Sequence, residues 1–218
     1  MLGPTFSQYL RQQWPHIQPL VWEQVTLIAT AMVLSAAIGV TLGGLVWNRP
    51  RRAALLLGVA GAVLTIPSLA LLTLFIPVFG LGWAPTLIAL VLYAQLPIVR
   101  NTITGLQSVD PGIIESAKGI GMTTSRRMLS IQLPLAWPVI LAGLRVATML
   151  LFGISAIAAY VSGPGLGNLV FTGLSRFGAV NATNQALAGS LGIALLALAF
   201  DAGYLVLRRL TTSRGIRG

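Results

Sequence analysis

Apolar runs too long for an ordinary globular domain limit the fold of this chain more than any motif does. A helix rising 1.5 Å per residue needs about 20 apolar residues to cross about 30 Å of hydrocarbon. Runs approaching or exceeding that length recur at about 21–47, 53–76, 84–100, 136–161 and 185–207. A membrane β-barrel would instead show alternating strands of about 10 residues. Hydrophobic side chains make up 56% and charged ones 8%, far from the quarter or so charged in soluble domains. The expected class is therefore all-α: a polytopic membrane protein of about five transmembrane helices in a lipid bilayer, forming one domain over 21–207.

Taken in order, residues 1–20 mix Phe6, Tyr9, Trp14 and Ile17 with glutamines and read as an interfacial segment. With Arg11, Glu23 and several prolines ahead of the first long apolar run, no cleavable signal peptide is expected, and the first span directs insertion itself. That span carries Gly39-x-x-x-Gly43, a spacing that lets a second helix approach closely. The apolar stretch 53–83 is too long for one straight crossing, so Pro67 is expected to kink it, with Pro77, Gly80, Gly82 and Pro85 forming the exit turn. Between the fourth and fifth spans lies Ser162-Gly-Pro-Gly-Leu-Gly-Asn168, a glycine-rich turn with room after it for a short helix.

Charge fixes an expected orientation. If the C-terminus is cytoplasmic, eleven basic residues fall inside (Arg49, Arg51, Arg52, Arg100, Lys118, Arg126, Arg127, Arg208, Arg209, Arg214, Arg217) and only Arg11 and Arg176 outside. The positive-inside rule then puts the N-terminus outside and makes 208–218 a basic cytoplasmic tail. Because these cations sit in short groups between apolar runs, the net charge of +10 implies no nucleic-acid partner. With no cysteine and a single histidine, His16, a metal cluster or a histidine-based triad is not expected.

The longest polar interruption, 106–134, reads as a capped hairpin of two short helices. Asp110 suits an N-cap and Pro111 the first helical position, with Gly119 or Gly121 ending the helix. Ile113, Ala117 and Ile120 share its face. Thr123 or Thr124 caps a second helix over Ser125 to Leu133, which Pro134 is expected to separate from the fourth span. Glu115-Ser116-Ala117, Gly121 three residues on, and Ile131-x-Leu133-Pro134 after nine more resemble the EAA motif of ABC-importer permeases, with Ser116 standing for an alanine. That resemblance implies that 106–134 is the cytoplasmic coupling loop of a MetI-like type I importer permease, in the prokaryotic inner membrane. Glu115, Ser116 and Ala117 would lie on the docking helix, Gly121 would permit the turn, and Ile131, Leu133 and Pro134 would join the hairpin to the membrane. The implied partners are ATP-hydrolysing subunits, which bind the ATP and Mg2+, an extracytoplasmic substrate-binding protein, and a second copy or a sibling permease. The chain has no phosphate-binding loop, so it is expected to bind no cofactor and to be no enzyme.

A narrower resemblance spans most of the chain. Thr65-Ile-Pro-Ser-Leu-Ala-Leu-Leu72, Leu96-Pro-Ile-Val-Arg-Asn-Thr102, Ala142-Gly-Leu-Arg-Val-Ala-Thr148 and Gly163-Pro-Gly-Leu-Gly167 are similar to the permeases of importers for glycine betaine, choline, carnitine or proline. Substrate identity rests on that similarity alone. Permeases for amino acids, methionine or an oxyanion are the nearest alternative, and an ion-coupled transporter or channel is the alternative of another class.

Within the apolar spans two opposite charges stand out. Arg145 and Asp201 fall at similar depth, about 10–15 Å from the cytoplasmic face, and each isolated charge there costs at least about 2.5 kcal/mol. They are expected to pair and tie two spans together. Pro67, Ser68, Gln95 and Asn101 are candidate pathway groups, each of a type more often satisfied locally than by a ligand.

Overall fold

A computed structural model describes residues 5–211, and its regular elements are all helical among those residues. In chain order they are α1 (Phe6–Val46), α2 (Pro50–Thr65), α3 (Ser68–Phe79), α4 (Trp83–Gln107), α5 (Pro111–Gly119), α6 (Thr124–Arg127), α7 (Leu133–Ile157), α8 (Gly167–Ser175) and α9 (Ala182–Thr211). A π-helical turn, Met128–Gln132, links α6 to α7, and a 3-10 turn, Ala158–Val161, follows α7. Four of the helical segments are long and apolar enough to cross a membrane, and the bent pair α2 and α3 supplies a fifth span if counted as one. The N-terminal segment is, from Phe6 onward, continuous with the first span in one helix of 41 residues that includes Pro15 and Pro19. Residues 1–4 and the tail beyond Thr211 lie outside the described residues.

α4 is the centre of the bundle, with α1 and α7 packed along it. Lipid tails are as apolar as leucine, so helix association in a bilayer depends on close packing, and small residues bring backbones together. A methyl group added at Gly39 would stand 2.7 Å from Ile98 Cγ2, and one at Gly43 would stand 2.8 Å from Thr102 Cβ. On the other side of α4, Gly143 of α7 lies so near Asn101 that an added methyl would sit 2.5 Å from its Cβ. Around these crossings Leu27, Ile28, Leu90, Ile98, Leu106, Ile140, Leu151 and Phe152 are almost wholly enclosed. The hairpin of α5 and α6 lies at one end of the bundle, and the α3–α4 and α7–α8 connections lie at the other.

The second apolar stretch does more than kink. α2 and α3 meet at 94°, with Ile66 and Pro67 at the break. Pro77 lies inside α3 and Pro85 inside α4, leaving the turn to Gly80 and Gly82, whose φ values of 75° and 100° are ones that side chains disfavour. Such a break frees carbonyls that hydrocarbon cannot satisfy. The Tyr93 hydroxyl donates to the Ile66 carbonyl at 2.6 Å, and Tyr93 itself is buried. Tyr93→Phe removes that donor while keeping the ring. Its unfolding free energy in detergent is expected to fall by about 1–3 kcal/mol, the cost of one stranded polar group, whereas an unchanged value would mean that the hydroxyl does not support the break.

Candidate functional site

The polar hairpin is built by local capping. Asp110 Oδ1 accepts from the Gly112 amide at 2.7 Å, with Pro111 at the first position of α5, where its missing N–H costs nothing. The Ser116 hydroxyl donates to the Gly112 carbonyl at 2.8 Å, so this serine satisfies itself within the helix and asks nothing of its surroundings. After α5 the amides of Gly121 and Met122 return to the Lys118 and Ala117 carbonyls at 2.9 and 3.1 Å. Gly121 has φ 80° and open space where a Cβ would be. Glycine is therefore demanded there by backbone conformation and not by crowding. Thr123 caps α6, its hydroxyl oxygen accepting from the Arg126 amide at 3.4 Å.

The hairpin has two sides. Ile114, Met128 and Leu133 pack against the membrane core, and Ala117 is buried. Ile113, Ile120 and Leu129 are exposed, Ile120 to 79%, beside exposed Glu115, Lys118 and Arg126. This apolar face ringed by charge stands clear of the rest of the chain. Ile131 is half-buried and Pro134 exposed on the way to α7.

Pro134 does not separate the hairpin from the following span. Helical structure runs from Thr124 to Val161, 38 residues, or about 57 Å at 1.5 Å per residue. In the π turn just before the proline, the Leu133 amide bonds five residues back, to the Met128 carbonyl. That wider register receives a residue with no N–H inside the first turn of α7, where a proline is tolerated. The hairpin's second arm and α7 thus form one rod, a continuity that reading proline as a helix stop does not foresee.

Farther along this rod, Arg145 meets Asp201 of α9 in a two-pronged contact. Nε donates to Oδ1 at 2.5 Å and Nη2 to Oδ2 at 2.7 Å. Thr148 and Tyr204 add a hydroxyl–hydroxyl contact of 2.9 Å nearby, and the Trp137 indole donates to Thr211 Oγ1 at 2.9 Å. α7 and α9 are therefore joined by polar contacts over the half of the bundle nearer the hairpin. A bidentate guanidinium–carboxylate pair fixes orientation as well as charge.

The four residues considered for a pathway point to different neighbours. Pro67 and Ser68 stand at the α2–α3 break. Gln95 is 9% exposed and faces α1: its amide donates to the Val91 carbonyl at 2.8 Å, and its oxygen, close to Gly39, has no partner among the described residues. Asn101 donates to the Pro97 carbonyl at 2.8 Å and packs on Gly143 of α7.

Glu23 and Gln24, which sequence reading left aside, do converge on another segment. Glu23 accepts from the Gly165 amide at 3.0 Å, and Gln24, fully buried, accepts from the Leu166 amide at 3.2 Å. Two adjacent polar residues at the head of an apolar run were the available signal.

Residues 20–213 match the family described as binding-protein-dependent transport system inner membrane component. The choline transport system permease protein OpuBB of Bacillus subtilis is 34% identical over 210 residues, covering 96% of this chain and 95% of its own. The osmoprotectant import permease protein OsmW of Salmonella typhimurium is 39% identical over 214 residues, covering 96% and 98%. Among solved structures, the MetNI methionine ABC transporter in an inward-facing conformation superposes with a TM-score of 0.77 at 21% identity, over 93% of this chain and 99% of that one. At that identity the likeness is one of fold.

The pair of α7 and α9 carries its own prediction. Arg145→Ala or Asp201→Ala alone leaves one charge unpaired at membrane depth and is expected to destabilise the protein. The yield of folded protein should drop for each single variant and recover in the double variant Arg145→Ala/Asp201→Ala. A double variant no better than the worse single one, in a quantitative unfolding assay, would show that the two charges do not depend on each other.

Proposed function

The chain belongs to the binding-protein-dependent transport system inner-membrane component family, and from that premise we propose that it is the permease subunit of an ATP-driven importer of osmoprotectants such as glycine betaine, choline, carnitine or proline. The observation that carries the coupling part of this reading is the rod: an exposed apolar hairpin face continuous, through a π turn, with a membrane-spanning helix. Of these exposed apolar residues, Leu129 lies on the continuous helix itself, and Ile113 and Ile120 reach it through the Gly121 turn. The substrate class follows the printed names of near-full-length relatives, which include choline and osmoprotectant permeases.

On this reading the N-terminus lies outside and the hairpin inside, in keeping with the excess of arginine and lysine at the hairpin end. Two ATPase subunits hold the ATP and Mg2+ and receive one hairpin each, so a second permease, identical or sibling, completes a two-fold assembly. α9 leaves room for it, since none of its most apolar 18-residue window is buried within this chain. An extracytoplasmic binding protein delivers the solute. This chain contributes no catalytic group. Glu115, Ser116, Ala117 and Gly121 shape the docking helix and its turn, and Ile131, Leu133 and Pro134 belong to the junction with the rod. The Arg145–Asp201 pair makes α9 follow α7 when the ATPases close.

Uptake of radiolabelled betaine, choline, carnitine and proline under hyperosmotic stress tests the proposal. Saturable uptake of at least one of them, lost when the ATPase subunit is deleted, is expected. Uptake that survives the deletion would point to an ion-coupled transporter, and ATP-dependent uptake confined to amino acids outside this set, methionine or an oxyanion would overturn the substrate class. Gly121→Val forces a β-branched residue into left-handed backbone at a cost of about 1–2 kcal/mol or more. It should lower ATP-driven uptake about tenfold or more while the protein still reaches the membrane, and normal uptake by this variant would deny the turn its part in coupling.

A further inference from the structure

We propose that the groove between α7 and α9 at the hairpin end of the bundle binds the phosphate of an anionic phospholipid, held between Arg145 and Arg208. The site stands on the geometry of the groove. Its assignment to the inner leaflet rests on the orientation in which the hairpin is cytoplasmic.

Ala142 and Arg145 of α7 stand on one wall of this groove and Tyr204 and Arg208 of α9 on the other, around about 50 Å³ of open space. A water needs about 10–15 Å³ of such space, so the groove has room for about four waters or one phosphate group. Arg145 commits Nε and Nη2 to Asp201, whereas Nη1 has no partner among the described residues, and the side chain is 43% exposed. Arg208, in the last turn of α9, has no partner among the described residues either. Asp201 does not line the groove. Among the described residues the lining therefore presents two guanidinium groups and no carboxylate, and guanidinium donors match phosphate oxygens in charge and geometry.

Depth selects among anions. Trp137 adjoins Pro138 of the groove, and its indole donates to Thr211 Oγ1 at 2.9 Å. Tryptophan in such a position marks headgroup level. Arg145 lies eight residues farther along α7, about 12 Å deeper at 1.5 Å per residue. It shares the groove with Pro138 and Arg208, both nearer the helix ends, so its side chain extends back toward the interface. A free anion would have to leave water to enter at this level, whereas a phospholipid carries its phosphate there already. The surroundings suit the rest of such a molecule. Leu198 and Leu205, seven residues apart on one face of α9, and Val146 of α7 are all exposed and offer acyl chains an apolar surface. Basic pockets between helices on the cytoplasmic side hold anionic headgroups by this combination of charge and depth.

Native mass spectrometry of the delipidated complex, titrated with phosphatidylglycerol or phosphatidylcholine, tests the site. One phosphatidylglycerol per chain should be retained, about tenfold or more tightly than phosphatidylcholine, whose own cation offsets its phosphate. Arg208→Ala removes a direct charged contact and should weaken phosphatidylglycerol binding about tenfold. Arg209→Ala removes the same charge one residue outside the groove and should cost about threefold or less. Ala142 is exposed, so Ala142→Leu fills the groove without disturbing the core or any charge, and should weaken binding as Arg208→Ala does. Unchanged binding in both Arg208→Ala and Ala142→Leu, equal losses in Arg208→Ala and Arg209→Ala, or no lipid retained by the assembled complex would overturn the site. Displacement of the lipid by an equal concentration of inorganic phosphate would make it a free-anion site and overturn the lipid assignment. The readout needs neither uptake nor ATP turnover, so a complex that binds the lipid but shows no ATP-dependent uptake would count against the permease reading alone.

Discussion

Hydrocarbon offers no hydrogen bonds, and the interruptions of this protein's apolar spans are shaped by that fact. Where α2 gives way to α3, Tyr93 reaches across from α4 to the Ile66 carbonyl. Where the chain turns between α7 and α8, Glu23 and Gln24 come from α1 to receive two amides. At Pro134 the backbone adjusts without help, shifting its hydrogen-bond register in a π turn and continuing. The first two interruptions depend on side chains from distant helices. The third is satisfied within the helix itself.

The hairpin's second arm and α7 are one continuous helix, and the bidentate Arg145–Asp201 contact ties α9 to it. α4 is pressed both against α1, at Gly39 and Gly43, and against α7, at Gly143, so it joins the two.

Local chemistry was the legible part of the sequence. The caps at Asp110 and Thr123 and the turn at Gly121 depend on residues within a few positions of one another, and their spacing was enough to draw the hairpin. Arg145 and Asp201 were legible for a different reason: only two opposite charges lay at matching depth in apolar spans, and depth follows from counting residues. What escaped was long-range or cooperative. Nothing near Ile66 shows that Tyr93, in another helix, will satisfy it. Glu23 looked like an ordinary charge at a helix head until the glycine segment, some 140 residues away, came against it. Pro134 misled because the π turn before it places the proline in the first turn of α7 within continuous helix, and that register does not show in the residue's own helix-breaking tendency. Gln95 and Asn101, polar and within a span, proved to be turned toward α1 and α7, positions set by helix rotation about an axis that sequence alone does not give.

The central claim is that a partner ATPase grips the outer face of the hairpin and moves the rod. A photo-reactive amino acid at Ile120, 79% exposed on that face, tests it most directly in native complexes, with Leu74, 66% exposed on α3, as the control. The account predicts an adduct with the ATPase subunit from position 120 and none from position 74. Absence of an ATPase adduct at 120 in an assembled complex, or equal adducts from both positions, would contradict it.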